Sequence, residues 1–320
     1  MIFLIKKFYI SRVQKINYFI INQLLKDKKI IQNRSLRVAL LRQTILLLHS
    51  IIKIFELPVK LVFDKDVVIQ EFSDIKLYFN TKNIGHANRY LKPQKNYDNM
   101  SVPILKLTNL DYKEKYTIVD LGASIGELSI FMAKKFPKSK IYAVEANYNY
   151  ANYLKENMLL NEVSNIEVIN MAISDKDDLY YKVINTEINP ETKQDLGQKL
   201  NVIESFDESD KKSITLNKII ENFNIKKIDL LKIHIEESNS KTLNCIIKNK
   251  EKIDRICVEI GFSQPKIFIN FYQSIKNYYD FFILRDGRQI QFEELCKKTE
   301  YLLSIQPGFD LYLEKKYPKI

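Results

Sequence analysis

Histidine, cysteine and tryptophan are scarce or missing in this chain, and each gap narrows what it can do. Only His49, His86 and His234 occur among 320 residues, too few for a histidine-rich metal site. The cysteines Cys245, Cys257 and Cys296 are odd in number and lack metal-ligand spacing, and Cys257 sits in an apolar run where it reads as a small buried hydrophobe. Cysteine usage this sparse is that of a reduced, intracellular protein. The absence of tryptophan excludes nothing. No apolar run reaches the roughly 18–20 residues needed to span a bilayer; Thr44 to Phe55 is interrupted by His49, Ser50 and Lys53. A secretory leader is not expected either, because Lys6 and Lys7 follow the apolar Met1 to Ile5 instead of preceding it. The expected location is the cytoplasm.

Acidic residues are nearly absent from one end. Residues 1–60 hold twelve Lys and Arg against Asp27 and Glu56, so this segment carries +10 of the chain's net +11 and the remainder is close to neutral. Residues 1–56 also lack glycine and proline, and Ile16, Phe19, Ile20, Leu24 and Leu41, Ile45, Leu48, Ile52 recur at helical spacing. The region 1–60 is therefore predicted to be a basic helical extension. A basic amphipathic helix can lie in a membrane interface, giving a peripheral location at the membrane surface; the alternative is a helical cap showing solvent a basic face. A nucleic-acid partner is not expected, since Phe3, Phe8, Tyr9, Tyr18 and Phe19 match core spacing better than a stacking platform.

With 46% hydrophobic residues the chain can bury a full core. Residues 61–112 contain β-like runs at Leu61 to Phe63, Val67 to Phe72 and Ile75 to Phe79, and are expected to form part of a floor or lid. His86 lies in the loop that follows, where solvation is its commoner fate. From 113 to 320 strands and helices alternate: strands near 116–120, 140–145, 166–171, 228–235, 255–260, 280–284 and 310–314, helices near 126–136, 148–161, 215–223, 239–250 and 265–277. Elements of these lengths call for an α/β fold, a doubly wound, mostly parallel sheet covered on both faces. Residues 176–212, rich in Asp, Asn, Lys and Glu, break the rhythm and read as an insertion or mobile loop at the rim.

The most informative stretch is Tyr116-Thr-Ile-Val-Asp-Leu-Gly-Ala-Ser-Ile-Gly126, with Glu145 ending the next apolar run. A strand feeds an acid, and Gly122 and Gly126 then open a helix whose unpaired N–H groups can meet a ligand. A carboxylate at position 145 can accept both hydroxyls of a ribose. A nicotinamide site would usually read G-x-G-x-x-G around a pyrophosphate. Here the order is D-x-G-x-S-x-G, and an acid at Asp120 repels a pyrophosphate but suits an ammonium. S-adenosylmethionine has an ammonium and no phosphate, so a dehydrogenase is the weakest reading.

VDLGASIG (119–126), VEAN (144–147), Asn157-Met-Leu-Leu-Asn161, Asn170-Met-Ala-Ile-Ser-Asp175, Thr215-Leu-Asn217 and Lys232-Ile-His-Ile-Glu-Glu237 follow one another in order. Over roughly residues 115–285 the chain resembles the FkbM family of class I, Rossmann-like methyltransferases. The resemblance implies S-adenosylmethionine as cofactor, held by Asp120, Gly122, Ala123, Ser124, Gly126, Glu145, Ala146 and Ala172. It also implies an O-methyltransferase acting on a small-molecule or glycan- or lipid-linked acceptor, and a final antiparallel strand near Asp310 to Leu313. The chain departs from the family pattern at Ser124, Ala146, His234 and Glu237. Lys232, His234 and Glu236 share one strand face by the two-residue period. Histidine titrates near neutrality, so His234 is the candidate general base, with Glu236 orienting it or binding substrate. Lys232 and Glu259 are candidates for the acceptor pocket, and Tyr148 or Tyr150 for adenine stacking, although helix packing suits both tyrosines better. No metal site is expected. The rival readings are a protein that binds the cofactor without catalysis, because of His234 and Glu237, and a nucleic-acid-binding protein that uses the basic arm.

Overall fold

A computed structural model describes residues 59–64, 67–72, 75–80, 114–185, 188–189, 194–195, 200–205, 207, 211–235, 239–260, 265–283 and 309–316. The chain divides into two compact units: Met1–Asp98 with Asn185–Leu200, and Asn99–Ile184 with Asn201–Ile320. The helical reading of residues 1–58 and the loop carrying His86 lie outside the described residues.

In the first unit, β1 (Val59–Asp64), β2 (Val67–Phe72) and β3 (Ile75–Asn80) form an antiparallel meander in the order β1-β2-β3. The register opposes Val59 to Phe72 and Phe72 to Ile75. The runs of alternating Val, Ile, Leu and Phe specify such pairing. Two short strands, β9 (Ile188–Asn189) and β10 (Gln194–Asp195), pair with each other in the same unit.

The second unit is built on seven strands. In chain order they are β4 (Thr117–Leu121), β5 (Lys140–Val144), β6 (Ile166–Ile169), β13 (Leu230–Ile233), β14 (Arg255–Ile260), β15 (Tyr279–Ile283) and β16 (Phe309–Lys315). Their order across the sheet is β15-β16-β14-β13-β4-β5-β6. All the ladders among β14, β13, β4, β5 and β6 are parallel, whereas β16 is antiparallel to both β14 and β15. Burial on both faces explains why Thr117-Ile-Val-Asp-Leu121 and Leu230-Leu-Lys-Ile233 read as near-continuous apolar runs. The helices are α1 (Glu127–Lys135), α2 (Tyr148–Leu160), α3 (Leu216–Asn222), α4 (Asn239–Asn249) and α5 (Pro265–Ile275). Local chemistry starts two of them. The Asn147 side chain accepts the N–H groups of Asn149 and Tyr150, and Thr215 Oγ1 accepts that of Lys218. One core cluster joins Val119, Leu121 and Val144 to Leu231, Ile233, Ile246, Phe271 and Leu313, binding sheet to helices.

The doubly wound, mostly parallel sheet is thus present, and the strands and helices fall within a few residues of their expected places. The strand expected over 228–235 forms its ladder at Leu230–Ile233, with the Ile228–Ile253 bridge and the His234 N–H to the Leu121 carbonyl extending the pairing at either end. Segment 176–212, expected as an insertion or mobile loop, contains strands. There β8 (Tyr180–Asn185), β11 (Leu200–Ser205) and β12 (Lys211–Ile214) join β7 (Ala172–Ile173) in the order β11-β8-β12-β7. Polar composition misleads here because a charged stem can cover an aromatic ring: Lys212 sits opposite Tyr180, its Nζ 5.7 Å from the ring centre. Asp177 also accepts the Thr215 N–H at 2.6 Å, tying the segment to the start of α3.

Candidate active site

Chain order locates the site before any residue is considered. From β4 the chain steps outward to β5 and β6, then returns to β13 on the other side of β4. The strand order therefore reverses between β4 and β13, and ligands in open α/β sheets bind outside the carboxyl ends at such a switch point.

The loop leaving β4 at this point is bent by three residues with positive φ: Gly122 at 80°, Ser124 at 53° and Gly126 at 89°. Gly122 is required because a Cβ there would stand 2.1 Å from the His234 carbonyl oxygen. At Gly126 a Cβ would stand 2.7 Å from Leu154 Cγ, so this glycine lets α2 pack against the loop, an internal close approach that the motif alone does not indicate. The N–H groups of Gly122 and Ala123 both donate to the Val144 carbonyl at 2.9 Å. The fully buried Asn157 donates from Nδ2 to the Ile125 carbonyl at 2.8 Å, fixing α2 to the same loop.

Glu145 stands at the end of β5 and is 7% exposed. Its Oε2 accepts the Ser124 N–H at 2.8 Å and its Oε1 accepts the Asn147 N–H at 2.7 Å. The carboxylate thus joins the glycine loop to the cap of α2. Burial raises its pKa above the ordinary value, the two N–H groups and the Lys232 ammonium oppose that rise, and Asp120 adds to it. Asn170 completes the corner, donating from Nδ2 to the carbonyls of Glu145 at 2.7 Å and Ala146 at 3.3 Å.

Asp120 is 1% exposed, and its charge is met within the protein. Its Oδ2 accepts the Ser129 hydroxyl at 2.6 Å, and Lys232 Nζ lies 2.8 Å from Oδ1. That second contact is a charge contact rather than an aligned hydrogen bond. Lys232 is directly opposite Asp120 in the β4–β13 ladder and also donates to the Gly122 carbonyl at 2.9 Å. Within the protein, Asp120 thus meets Lys232 and Ser129, and Lys232 braces the loop through the Gly122 carbonyl.

His234 directly follows β13, its N–H donating to the Leu121 carbonyl at 3.0 Å. Ala172 is fully buried in β7, Ala146 is half-buried, Tyr148 is 59% exposed and Tyr150 is buried. Glu236 and Glu237 lie outside the described residues. Glu259 is opposite Asp310 in the β14–β16 ladder, and its side chain lies outside the described set. The positioning residues Asn157 and Asn170 were not read as site residues in the sequence, although both stand in motifs quoted for the resemblance. Among the described residues no three His, Cys, Asp or Glu side chains gather as a metal site, and no helix is long and apolar enough to cross a membrane.

The family model described as the methyltransferase FkbM domain matches residues 120–289, more than half of the chain. This chain belongs to the FkbM methyltransferase family. It is a methyltransferase by that membership. Among curated proteins, this FkbM chain is 36% identical over 63 residues to a probable ribosomal RNA small subunit methyltransferase A of Methanosphaera stadtmanae. That match covers 20% of the chain and 22% of the relative, so it spans about a fifth of the length of either protein. Solved structures similar to it include M. jannaschii TYW2 in complex with AdoMet, at 14% identity and TM-score 0.39, covering 82% of this chain and 90% of that one. An rRNA methylase from Streptococcus thermophilus is similar at 13% identity and TM-score 0.38, with 63% and 88% covered.

Proposed function

We propose that this FkbM-family protein uses S-adenosylmethionine to methylate a hydroxyl on a small-molecule or glycan- or lipid-linked acceptor. The observation that carries the donor assignment is the Glu145 carboxylate, held at a strand end by one N–H on each oxygen. An ionised carboxylate has about four acceptor positions, so each oxygen keeps capacity for a ligand hydroxyl. The two together suit the vicinal diol of a ribose. Beside it, Ser124 Oγ is a buried hydroxyl without a partner, a polar atom that a ligand would satisfy. The residues present therefore fit an adenosine ligand. The bound cofactor would supply an electrophilic methyl group on a sulfonium.

Around that group the chain's own task is to orient an acceptor and take its proton. In this reading His234, at the carboxyl end of β13 against Gly122, is the base that takes a proton from the acceptor hydroxyl at its imidazole nitrogen. Glu236 orients the base or the acceptor. General-base assistance of this kind contributes on the order of 10²–10⁴ in rate. The basic segment 1–60 would bring the enzyme to anionic membrane surfaces, where lipid-linked acceptors lie, and co-sedimentation with vesicles containing anionic lipid tests that.

Calorimetry with S-adenosylmethionine and S-adenosylhomocysteine, followed by mass-shift screening of sugars and lipid-linked sugars, tests the whole reading. Binding of neither ligand sinks the donor assignment. A His234→Ala variant that transfers methyl groups at the full rate removes the base and leaves the donor untouched. Cofactor binding with no turnover on any hydroxylated acceptor would point to a binding protein. A second reading, an RNA acceptor, draws on the basic 1–60 segment and on the name of the ribosomal RNA relative. RNA binding that weakens steeply with salt would favour it.

A further inference from the structure

We propose that Lys232 is a positioning residue for the glycine loop: by pairing with Asp120 and holding the Gly122 carbonyl it keeps the loop where the Ser124 N–H reaches Glu145. The claim rests on the reading of Glu145 as the ligand's carboxylate, and it adds a residue to which that reading gives no role.

The geometry is a chain of contacts across the switch point. Lys232 projects from β13 directly opposite Asp120 of β4. Its ammonium reaches Asp120 Oδ1 at 2.8 Å and the Gly122 carbonyl at 2.9 Å, so it grips the last turn of strand and the first residue of the loop together. Two residues on, Ser124 donates to Glu145. Asp120 is held on its other oxygen by Ser129 of α1, which makes the strand end, the loop and the first helix one connected unit. A lysine only 9% exposed needs an anionic partner, and Asp120, at 1%, needs a cationic one. A buried ammonium with rotatable donors can serve a carboxylate and a carbonyl at once. The two acids of this corner, Asp120 and Glu145, are thereby linked through Lys232 and the loop.

The test compares Lys232→Met, Asp120→Asn and the double variant with the parent in the full-length protein. Two readouts are followed: amide hydrogen exchange of the peptide covering residues 121–126 without ligand, and S-adenosylhomocysteine binding by calorimetry. Each single variant leaves one buried charge without its partner. The expected result is loop exchange at least tenfold faster and binding at least tenfold weaker in the singles. The double variant, which removes both charges but still lacks the donor to the Gly122 carbonyl, improves on Lys232→Met alone and stays at least threefold worse than the parent, whereas full recovery would lay the damage on the unpaired charge and overturn the proposal. A Lys232→Met protein that matches the parent in both readouts overturns the proposal. So does a double variant no better than Lys232→Met alone. Exchange that quickens equally across β4, β5 and β13, with the loop no worse, would make Lys232 plain core support and also overturn it. If the parent itself binds no S-adenosylhomocysteine, the donor reading fails, while the exchange comparison still decides whether Lys232 holds the loop.

Discussion

Adding a single methyl group at Gly122 or at Gly126 should do two different things, although both glycines have positive φ and sit four residues apart. At Gly122 the new Cβ would meet the His234 carbonyl oxygen at 2.1 Å, and an ordinary contact begins at 3.4 Å, so β4 and β13 must part by about 1.3 Å. That movement strains the Leu121–His234 backbone bond and the Lys232–Gly122 bond. A left-handed non-glycine residue costs roughly 1–2 kcal/mol and overpacking roughly 1–3 kcal/mol. Gly122→Ala should therefore destabilise by about 2–5 kcal/mol, which at about 2–4 °C per kcal/mol lowers Tm by roughly 4–20 °C. At Gly126 the obstacle is the Leu154 side chain at 2.7 Å, which can be cut away. In a Leu154→Ala background Gly126→Ala should cost only the conformational part, about 1–2 kcal/mol. The matching cycle with His234→Ala should give Gly122→Ala no relief, because main chain is in the way. Thermal and denaturant unfolding of the two cycles measure both couplings. Relief of Gly122→Ala by His234→Ala, or a harmless Gly122→Ala, would refute the reasoning.

Further outcomes follow from the corner around Glu145 and from the core. Glu145→Gln should weaken S-adenosylhomocysteine binding by about 1.5–3 kcal/mol, tenfold or more, in a titration at neutral pH. Burial raises the Glu145 pKa, so the ionised group costs the unliganded fold stability above its folded-state pKa, and that cost vanishes as pH falls through it. Ligand affinity should run the opposite way, declining on acidification before ordinary carboxylates protonate, and calorimetry across pH should find Glu145→Gln flat over the same interval. Asn157→Leu strips the Ile125 carbonyl of its donor and should cost about 1–3 kcal/mol, read as a lower Tm. Tyr279→Phe removes the hydroxyl that donates to the Lys250 and Ile253 carbonyls and should cost about 0.5–1.5 kcal/mol by denaturant unfolding.

The sheet was legible in the sequence because its central strands are buried on both faces and so appear as unbroken apolar runs, while Asn147 and Thr215 mark helix starts by their own chemistry. Gly122, Ser124, Gly126 and Glu145 were legible as a group because a bent loop after a strand needs those residue types. Partner choice was not legible. Nothing in the spacing of Asp120 and Lys232, 112 residues apart, reveals that β4 and β13 lie side by side with those two residues opposite each other. The same limit hid Asn157 and Asn170, whose amides reach main-chain carbonyls contributed by other elements. The strands within segment 176–212 were not legible for another reason: Lys212 lies over the Tyr180 ring, which composition alone reads as solvation.

Where β16 sits has a consequence for how the molecule is made. It is the latest strand in the sheet, yet it lies inside it, between β14 and β15. Until residues 309–315 arrive, β14 presents a bare hydrogen-bonding edge and β15 has nothing to dock on. A nascent or truncated chain lacking that strand would carry an open, apolar flank ready to pair with its neighbours, so shortening this end should show up as aggregation sooner than as altered chemistry.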